Sequence, residues 1–252
     1  MSTNTDTNKY TILFAIGMVV IVGSLLAFTA SSLKPNIKEN ERMETQQNIL
    51  YAMGINENGA TDIKFIGTDK VAGAFSKYIS KQLTINADGS SEENLEAYLI
   101  DVKKEQAKAK NGGTRQLPLF VGEKEGQTFY IIPIRGKGLW DAIWGYVSLD
   151  ENMVVQGAFF DHAAETPGLG ANIKQRYFMD DFVGEKLLSE SGAFKGITVA
   201  KGNNDPKNMT KDDYEVDALA GATITGDGVS AMIKKDLKLY LPYFKNLITQ
   251  LN

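Results

Sequence analysis

The chain has 252 residues, 43% of them hydrophobic and 23% charged, with a formal net charge of −4. That is the composition of a folded protein, and an acidic balance without a basic cluster argues against nucleic acid as a partner. It contains no cysteine and one histidine, which excludes a thiolate nucleophile, a disulfide, a cysteine-ligated iron–sulfur cluster and a multi-histidine metal site.

Residues 1–10 read as a short N-terminal tail, and residues 11–33 as a transmembrane helix. The 23 residues from Thr11 to Leu33 carry no charge and extend roughly 34 Å as a helix, enough to cross a hydrocarbon core of roughly 30 Å. A cleaved signal peptide has a shorter apolar centre of about 7–15 residues and a positive leader, whereas only Lys9 precedes this run. A retained helix in a lipid bilayer is the better reading. Lys34, Lys38 and Arg42 follow the run, so charge alone leans weakly toward a cytoplasmic position for the rest of the chain.

Residues 34–115 read as a helical and mixed connecting region of the soluble domain. Pro35 is expected to break or kink the membrane helix. A helical pattern then runs from about Ile37 to Met53 and stops at Gly54. Ser90-Ser-Glu-Glu93 reads as a capping box that opens a second helix, running to Lys110 and ended by Asn111-Gly-Gly113.

Residues 116–252 read as the core of the domain. Its expected strands are Thr128–Ile134, Gly145–Leu149, Met153–Phe160 and Ile197–Ala200, with Asp150–Asn152 a tight turn between two antiparallel strands. Pro133 points to an edge position or a bulge. The stripe Val229, Met232, Ile233, Leu237 and Leu241 predicts a C-terminal helix that Pro242 kinks or ends. The fold class is α+β: an N-terminal transmembrane helix and one domain with a mostly antiparallel sheet flanked by helices. Neither a G-x-G-x-x-G fingerprint nor a P-loop is present.

Two segments invite a chemical reading. In Asp217-Ala-Leu-Ala-Gly-Ala-Thr223-Ile-Thr225, a threonine follows small residues at an expected helix start, where free N–H groups and the helix dipole favour a phosphate. On local physics alone, Thr223 or Thr225 serving only as a helix cap is the commoner reading. In His162-Ala-Ala-Glu-Thr-Pro-Gly-Leu-Gly170, Pro167-Gly168 is a natural type II turn of a surface loop. No paired acid/base or nucleophile–base set is visible, and Asp212-Asp213 and Glu92-Glu93 read as solvated charge.

Together, in this order, the two segments resemble the FMN-binding domain family shared by the C subunit of the sodium-translocating NADH:quinone reductase and the G subunit of the Rnf electron-transport complex. Arg135-Gly-Lys-Gly-Leu-Trp140 is similar to the Gly-x-Gly-Leu-Trp signature of the sodium-pump branch, which favours that branch over the Rnf alternative and over a non-redox, membrane-tethered binding domain. The resemblance implies an electron carrier with FMN attached through its phosphate to Thr223 by a separate flavin transferase that uses FAD. It implies cofactor-binding roles for Gly221, Ala222, Thr225, Glu165, Thr166, Gly168, Leu169 and Trp140, with Pro167 and Gly170 in the same loop. Trp140 packing on the ring and Trp140 as a core residue both remain open.

The resemblance further implies partner subunits in a membrane redox complex of the bacterial inner membrane, which oxidise NADH, reduce ubiquinone and move sodium. No complete active site would lie in this chain, and the flavin domain would face the periplasm, against the charge count. Two departures stand out: Ala220 replaces a hydroxyl residue, and one extra residue, Ala163-Ala164, leaves the role of His162 open. Sodium is not expected to bind here, because Thr11–Leu33 holds no cluster of carboxylates.

Overall fold

The structure is a computed structural model that describes residues 7–59 and 62–251. Two compact units divide at Arg42 and Met43. The first is made by helix α1 (Asn8–Ala52) up to Arg42. Of the expected tail at 1–10, residues 1–6 lie outside the described residues, and Asn8, Lys9 and Tyr10 are already helical. The most apolar 18-residue stretch of α1 has a mean hydropathy of 2.6 and no buried residue. Among the described residues α1 is the one helix long and apolar enough to cross a membrane.

Pro35 lies inside α1 and does not end it. Proline removes one backbone bond and costs about 3 kcal/mol, but helix propagation is cooperative on both sides of such a defect. The end of α1 comes where Gly54 was expected to put it. The Ile55 N–H donates to the Leu50 carbonyl and the Gly54 N–H to the Tyr51 carbonyl, the paired bonds of a Schellman stop.

In the second unit, α2 (Val71–Tyr78) runs straight into strand β1 (Ile79–Ile85). Ser90–Glu93 does not open a helix. Asn86 and Ser90 close a tight turn, Asp88 accepts from the Ser90 N–H, and strand β2 (Ser91–Glu93) folds back on β1 with Ile85 opposite Ser91. The capping-box pattern loses to strand pairing, a tertiary effect that outweighs local preference. Helix α3 (Val102–Lys110) starts later, where the Asp101 carboxylate accepts from the N–H groups of Lys103 and Lys104, and it ends at Asn111-Gly-Gly113 as expected.

Strands β3 (Leu117–Lys124), β4 (Gln127–Lys137), β5 (Ala142–Leu149) and β6 (Val155–His162) form an antiparallel meander. The sheet order is β2-β1-β3-β4-β5-β6, so β1 and β2 from the expected connecting region share a sheet with the expected core. The Asp150–Asn152 turn joins β5 to β6: the Asp150 carboxylate accepts from the N–H groups of Asn152 and Val154. Pro133 is in an interior strand, opposite Tyr146 of β5. It is tolerated because pairing with β3 stops at Ile131, so its missing N–H interrupts no ladder there.

After β6 come a 3-10 turn (Gly170–Lys174), α4 (Arg176–Asp180) and a small parallel pair, β7 (Thr198–Val199) and β8 (Glu215–Val216). Helix α5 (Thr223–Met232) continues through a π-helical stretch (Ile233–Leu237) and a 3-10 turn (Lys238–Tyr240) into α6 (Leu241–Leu251). Pro242 thus falls in the first turn of α6, where its missing N–H costs little.

The core includes Phe120, Phe160, Phe178, Phe182, Tyr240 and Phe244, all buried. The rings of Phe160, Phe178 and Phe182 meet at centroid distances of 5.0–5.9 Å, and each such side chain contributes about 1.5–3 kcal/mol by burial. Asp236, in the π-helical stretch and fully buried, accepts from Arg115 Nη1 at 2.8 Å, Gln106 Nε2 at 3.1 Å and the Arg135 N–H at 2.9 Å. It ties the C-terminal helices to α3 and β4. A Cβ at Gly136 would come within 2.9 Å of Met232 Cβ. This close approach seats α5 directly on the end of β4.

Candidate functional site

Three chain segments converge beside the N-terminus of α5. Residues 138–141 link β4 to β5, with the Gly138 N–H donating to the Asp141 carbonyl at 2.8 Å. Residues 163–170 leave β6, and the first residue of α5 is Thr223. Between them lies a cleft of about 290 Å³, lined by Leu139, Glu165, Thr166, Leu169, Gly170, Gly221, Ala222, Thr223, Ile224 and Thr225. Pockets that enclose a drug-sized ligand run from about 300 Å³ upward, so this cleft is suited to holding part of a larger molecule while leaving the rest exposed.

Glu165 is the centre of the arrangement. It is 4% exposed, and its carboxylate accepts from the Trp140 N–H at 2.9 Å, the Asp141 N–H at 3.5 Å and the Thr225 hydroxyl at 2.6 Å. Burial pushes its pKa up, but the hydrogen bonds from Thr225, Trp140, Asp141 and Leu139 together hold it below the usual glutamate value. The group is a carboxylate at neutral pH. A Cβ at Gly138 would sit 2.5 Å from its Oε1, and one at Gly170 would sit 2.6 Å from the Thr225 hydroxyl. Glycine at both positions is what lets two loops close over the acid.

The loop before Glu165 is fixed by His162, whose Nδ1 accepts from the Glu165 N–H at 3.2 Å. The extra alanine is taken up in the exposed Ala163-Ala164. Pro167 and Gly168 do form the expected turn: the Leu169 N–H donates to the Thr166 carbonyl at 3.1 Å and Gly168 has φ +77°. The turn and the cleft are therefore the same loop, and the two readings do not compete.

Neither Thr223 nor Thr225 caps α5. The residue in the cap position is Ala222, which makes no side-chain hydrogen bond to the helix. Thr223 is exposed as the first helical residue, and Thr225 is buried with its hydroxyl on Glu165. Among the described residues no acceptor meets the N–H groups of Thr223, Ile224 and Thr225; the first α5 bond runs from the Gly226 N–H to the Ala222 carbonyl at 3.0 Å. An exposed hydroxyl, three free N–H groups and small neighbours at Gly221 and Ala222 fit a phosphate ester.

Of the nine site residues expected from sequence, seven line the cleft: Thr223, Gly221, Ala222, Thr225, Glu165, Thr166 and Leu169. Gly168 is at the apex of the turn. Trp140 is not a core residue: it is 65% exposed, with its indole N–H donating to the Thr166 hydroxyl at 3.1 Å. Because residues 138–141 form a surface turn, the indole has no interior to enter. Sequence reasoning missed Leu139 and Ile224. Both are exposed apolar residues, at 46% and 57%, and each stands next to a residue already singled out.

A family of FMN-binding domains matches residues 138–238. The C subunit of the Na+-translocating NADH-quinone reductase of Vibrio parahaemolyticus is 28% identical over 249 residues, covering 91% of this chain and 90% of the relative. The crystal structure of the corresponding NADH-quinone reductase subunit from Parabacteroides distasonis superposes with a TM-score of 0.71 at 32% identity, covering 84% of this chain and 96% of that one. Shewanella oneidensis NqrC superposes with a TM-score of 0.64 at 26% identity, covering 84% and 98%. The fold, the cleft at Thr223 and these likenesses agree: the chain belongs to the NqrC family, the C subunits of Na+-translocating NADH-quinone reductases.

Proposed function

We propose that this chain is the electron-carrying flavoprotein subunit of a sodium-translocating NADH:quinone reductase, and that FMN is esterified through its phosphate to Thr223. The observation that carries the reading is the exposed Thr223 hydroxyl at the uncapped start of α5, inside the stretch that matches the FMN-binding family. FMN held there would supply one- and two-electron redox chemistry.

The chain's own residues bind and orient. Thr223 Oγ1 would be the nucleophile toward the flavin-bearing phosphorus of FAD in a flavin transferase. AMP would leave as the phosphoanhydride bond breaks, and the hydroxyl proton would go to a base of that enzyme. The free N–H groups of the first turn of α5 would hold the ester phosphate, which would keep one negative charge. Leu139, Trp140, Leu169 and Ile224 offer apolar surface at the rim of the cleft. The residues proposed to hold the flavin lie within 116–252, and β1 and β2 from the 34–115 region complete the sheet beneath them. No complete active site lies in this chain; oxidation of NADH, reduction of quinone and sodium movement belong to partner subunits.

The helix over 11–33 anchors the protein in the inner membrane, with the flavin domain on the periplasmic side. Support for that side comes from the family resemblance, and three basic residues against one is a small opposing bias.

Intact mass and peptide mapping of the full chain, co-expressed with and without a flavin transferase, test the reading. The expected result is an FMN-sized addition on the peptide that contains Thr223, absent without transferase and absent in Thr223→Ala. An unmodified chain under active transferase would refute it.

A further inference from the structure

The start of α5 is unusual in what holds it. A Ser, Thr, Asp or Asn in the cap position satisfies a first-turn N–H with its own oxygen, and by doing so occupies the space where an anion would bind. Ala222 leaves that space open, and among the described residues the Thr223 side chain makes no hydrogen bond. Restraint comes instead from inside the protein. The Thr225 hydroxyl, two residues into the helix, donates to Glu165 Oε2 at 2.6 Å.

The same carboxylate reaches the other wall of the cleft through Oε1, which takes the Trp140 N–H at 2.9 Å and the Asp141 N–H at 3.5 Å. Each oxygen is thus engaged by the protein. With Glu165 4% exposed and Gly138 and Gly170 packed against it, a ligand atom has little access to either oxygen. The acid joins all three segments of the cleft, and both of its oxygens are already engaged by the protein.

We infer that Glu165 and Thr225 form a buried latch that positions the Thr223 hydroxyl for modification, in place of a helix cap and without contacting the cofactor. The inference rests on the proposed ester at Thr223. It reassigns two residues that the family resemblance implied to be cofactor contacts: they are positioning residues. The restraint sits inside the first turn so that the N–H groups above Thr223 stay available.

The test uses the full chain carrying Thr225→Val, which keeps the shape and removes the donor, and Thr225→Ser, which keeps the donor. Two quantities are read: the initial rate of FMN attachment to the Thr223 peptide under limiting transferase, and hydrogen exchange of the Gly226 amide in chain produced without transferase. In Thr225→Val, attachment is expected to slow at least about tenfold and Gly226 exchange to quicken about tenfold, with both restored in Thr225→Ser. A Thr225→Val chain that still unfolds cooperatively near the unmutated melting temperature places the effect at the helix start and not in a failure to fold.

Unchanged attachment and exchange in Thr225→Val, with FMN present on the unmutated chain, would overturn the latch alone. A normal attachment rate with a shifted flavin absorption spectrum would overturn it too, by making Thr225 a direct contact. No FMN on the unmutated chain would bring down the ester reading and this inference with it.

Discussion

Glu165 and Glu185 are buried acids of one domain, and the surroundings of each drive its chemistry in opposite directions. Glu165 is met by a hydroxyl and by backbone N–H groups from a neighbouring loop, and it stays ionised. Glu185 is fully buried, yet neither of its oxygens has a well-formed hydrogen bond, and Lys211 Nζ is 3.6 Å from Oε1. Burial pushes the Glu185 pKa up to about 7; Lys211 and Asn208 pull it down, and Asp213 raises it further. Burial acts on both groups in the same sense. Oriented donors decide which one keeps its charge.

A third acid extends the comparison and gives the largest expected effect. Asp236 is as buried as Glu185 and fully partnered, with Arg115 supplying the counter-charge at 2.8 Å. Arg115→Met leaves that carboxylate without its cation and is expected to cost about 3–5 kcal/mol, measured by denaturant unfolding of the full chain. A loss below about 1 kcal/mol would mean that Gln106 and the Arg135 N–H suffice, and that formal charge matters little here.

Glu185→Gln comes next, with the opposite sign. Because the folded pKa of Glu185 lies above the unfolded value, its neutral form favours the native state. That advantage is complete below about pH 4.5 and disappears as pH rises through about 7. The variant is expected to be more stable than the unmutated chain by about 1–3 kcal/mol at about pH 8 and nearly equal to it at about pH 5. Melting curves across that range read the slope, and parallel profiles would show that Glu185 is ionised throughout.

Glu165→Gln should give the smallest change and a mirrored profile. The lowered pKa means that stability from the carboxylate is present above the unfolded value and lost as pH falls through the folded one. The amide can still accept from the Trp140 N–H and donate to the Thr225 hydroxyl, so a loss of about 1 kcal/mol is expected at about pH 7. The two melting profiles should converge in acid. A profile that converged on the alkaline side would reverse our assignment of the charged form.

Much of the site is legible in the sequence alone. The ordered motifs locate Thr223, the Glu165–Gly170 loop and the 135–140 stretch, and the structure brings all three to one cleft. Glycine stops at Gly54 and at Asn111-Gly-Gly113 are legible because they act within a few residues. What resists reading is pairing at a distance. Ser90–Glu93 carries a valid capping pattern, and only the presence of β1 makes it a strand. Pro133 signals an edge, and only the early end of pairing with β3 makes an interior strand behave locally as one. Thr225 can be suspected of contacting the cofactor, but its partner is 60 residues earlier in the chain, and no local rule connects them. Trp140 stays open between core and surface because nothing in its neighbours states that residues 138–141 form a turn.

The π-helical stretch at Ile233–Leu237 has a consequence for engineering. A π turn accommodates one more residue than an α turn, so helix faces on either side of it are out of step by about one residue, or roughly 100° of rotation. Deleting a single residue there would regularise the helix and improve its local geometry. It would also swing either Asp236 away from Arg115 or Tyr240 away from the Pro118 carbonyl it reaches at 2.8 Å. The irregular turn is a phase shifter set into one continuous C-terminal segment beside two buried polar anchors, Asp236 on Arg115 and Tyr240 on the Pro118 carbonyl.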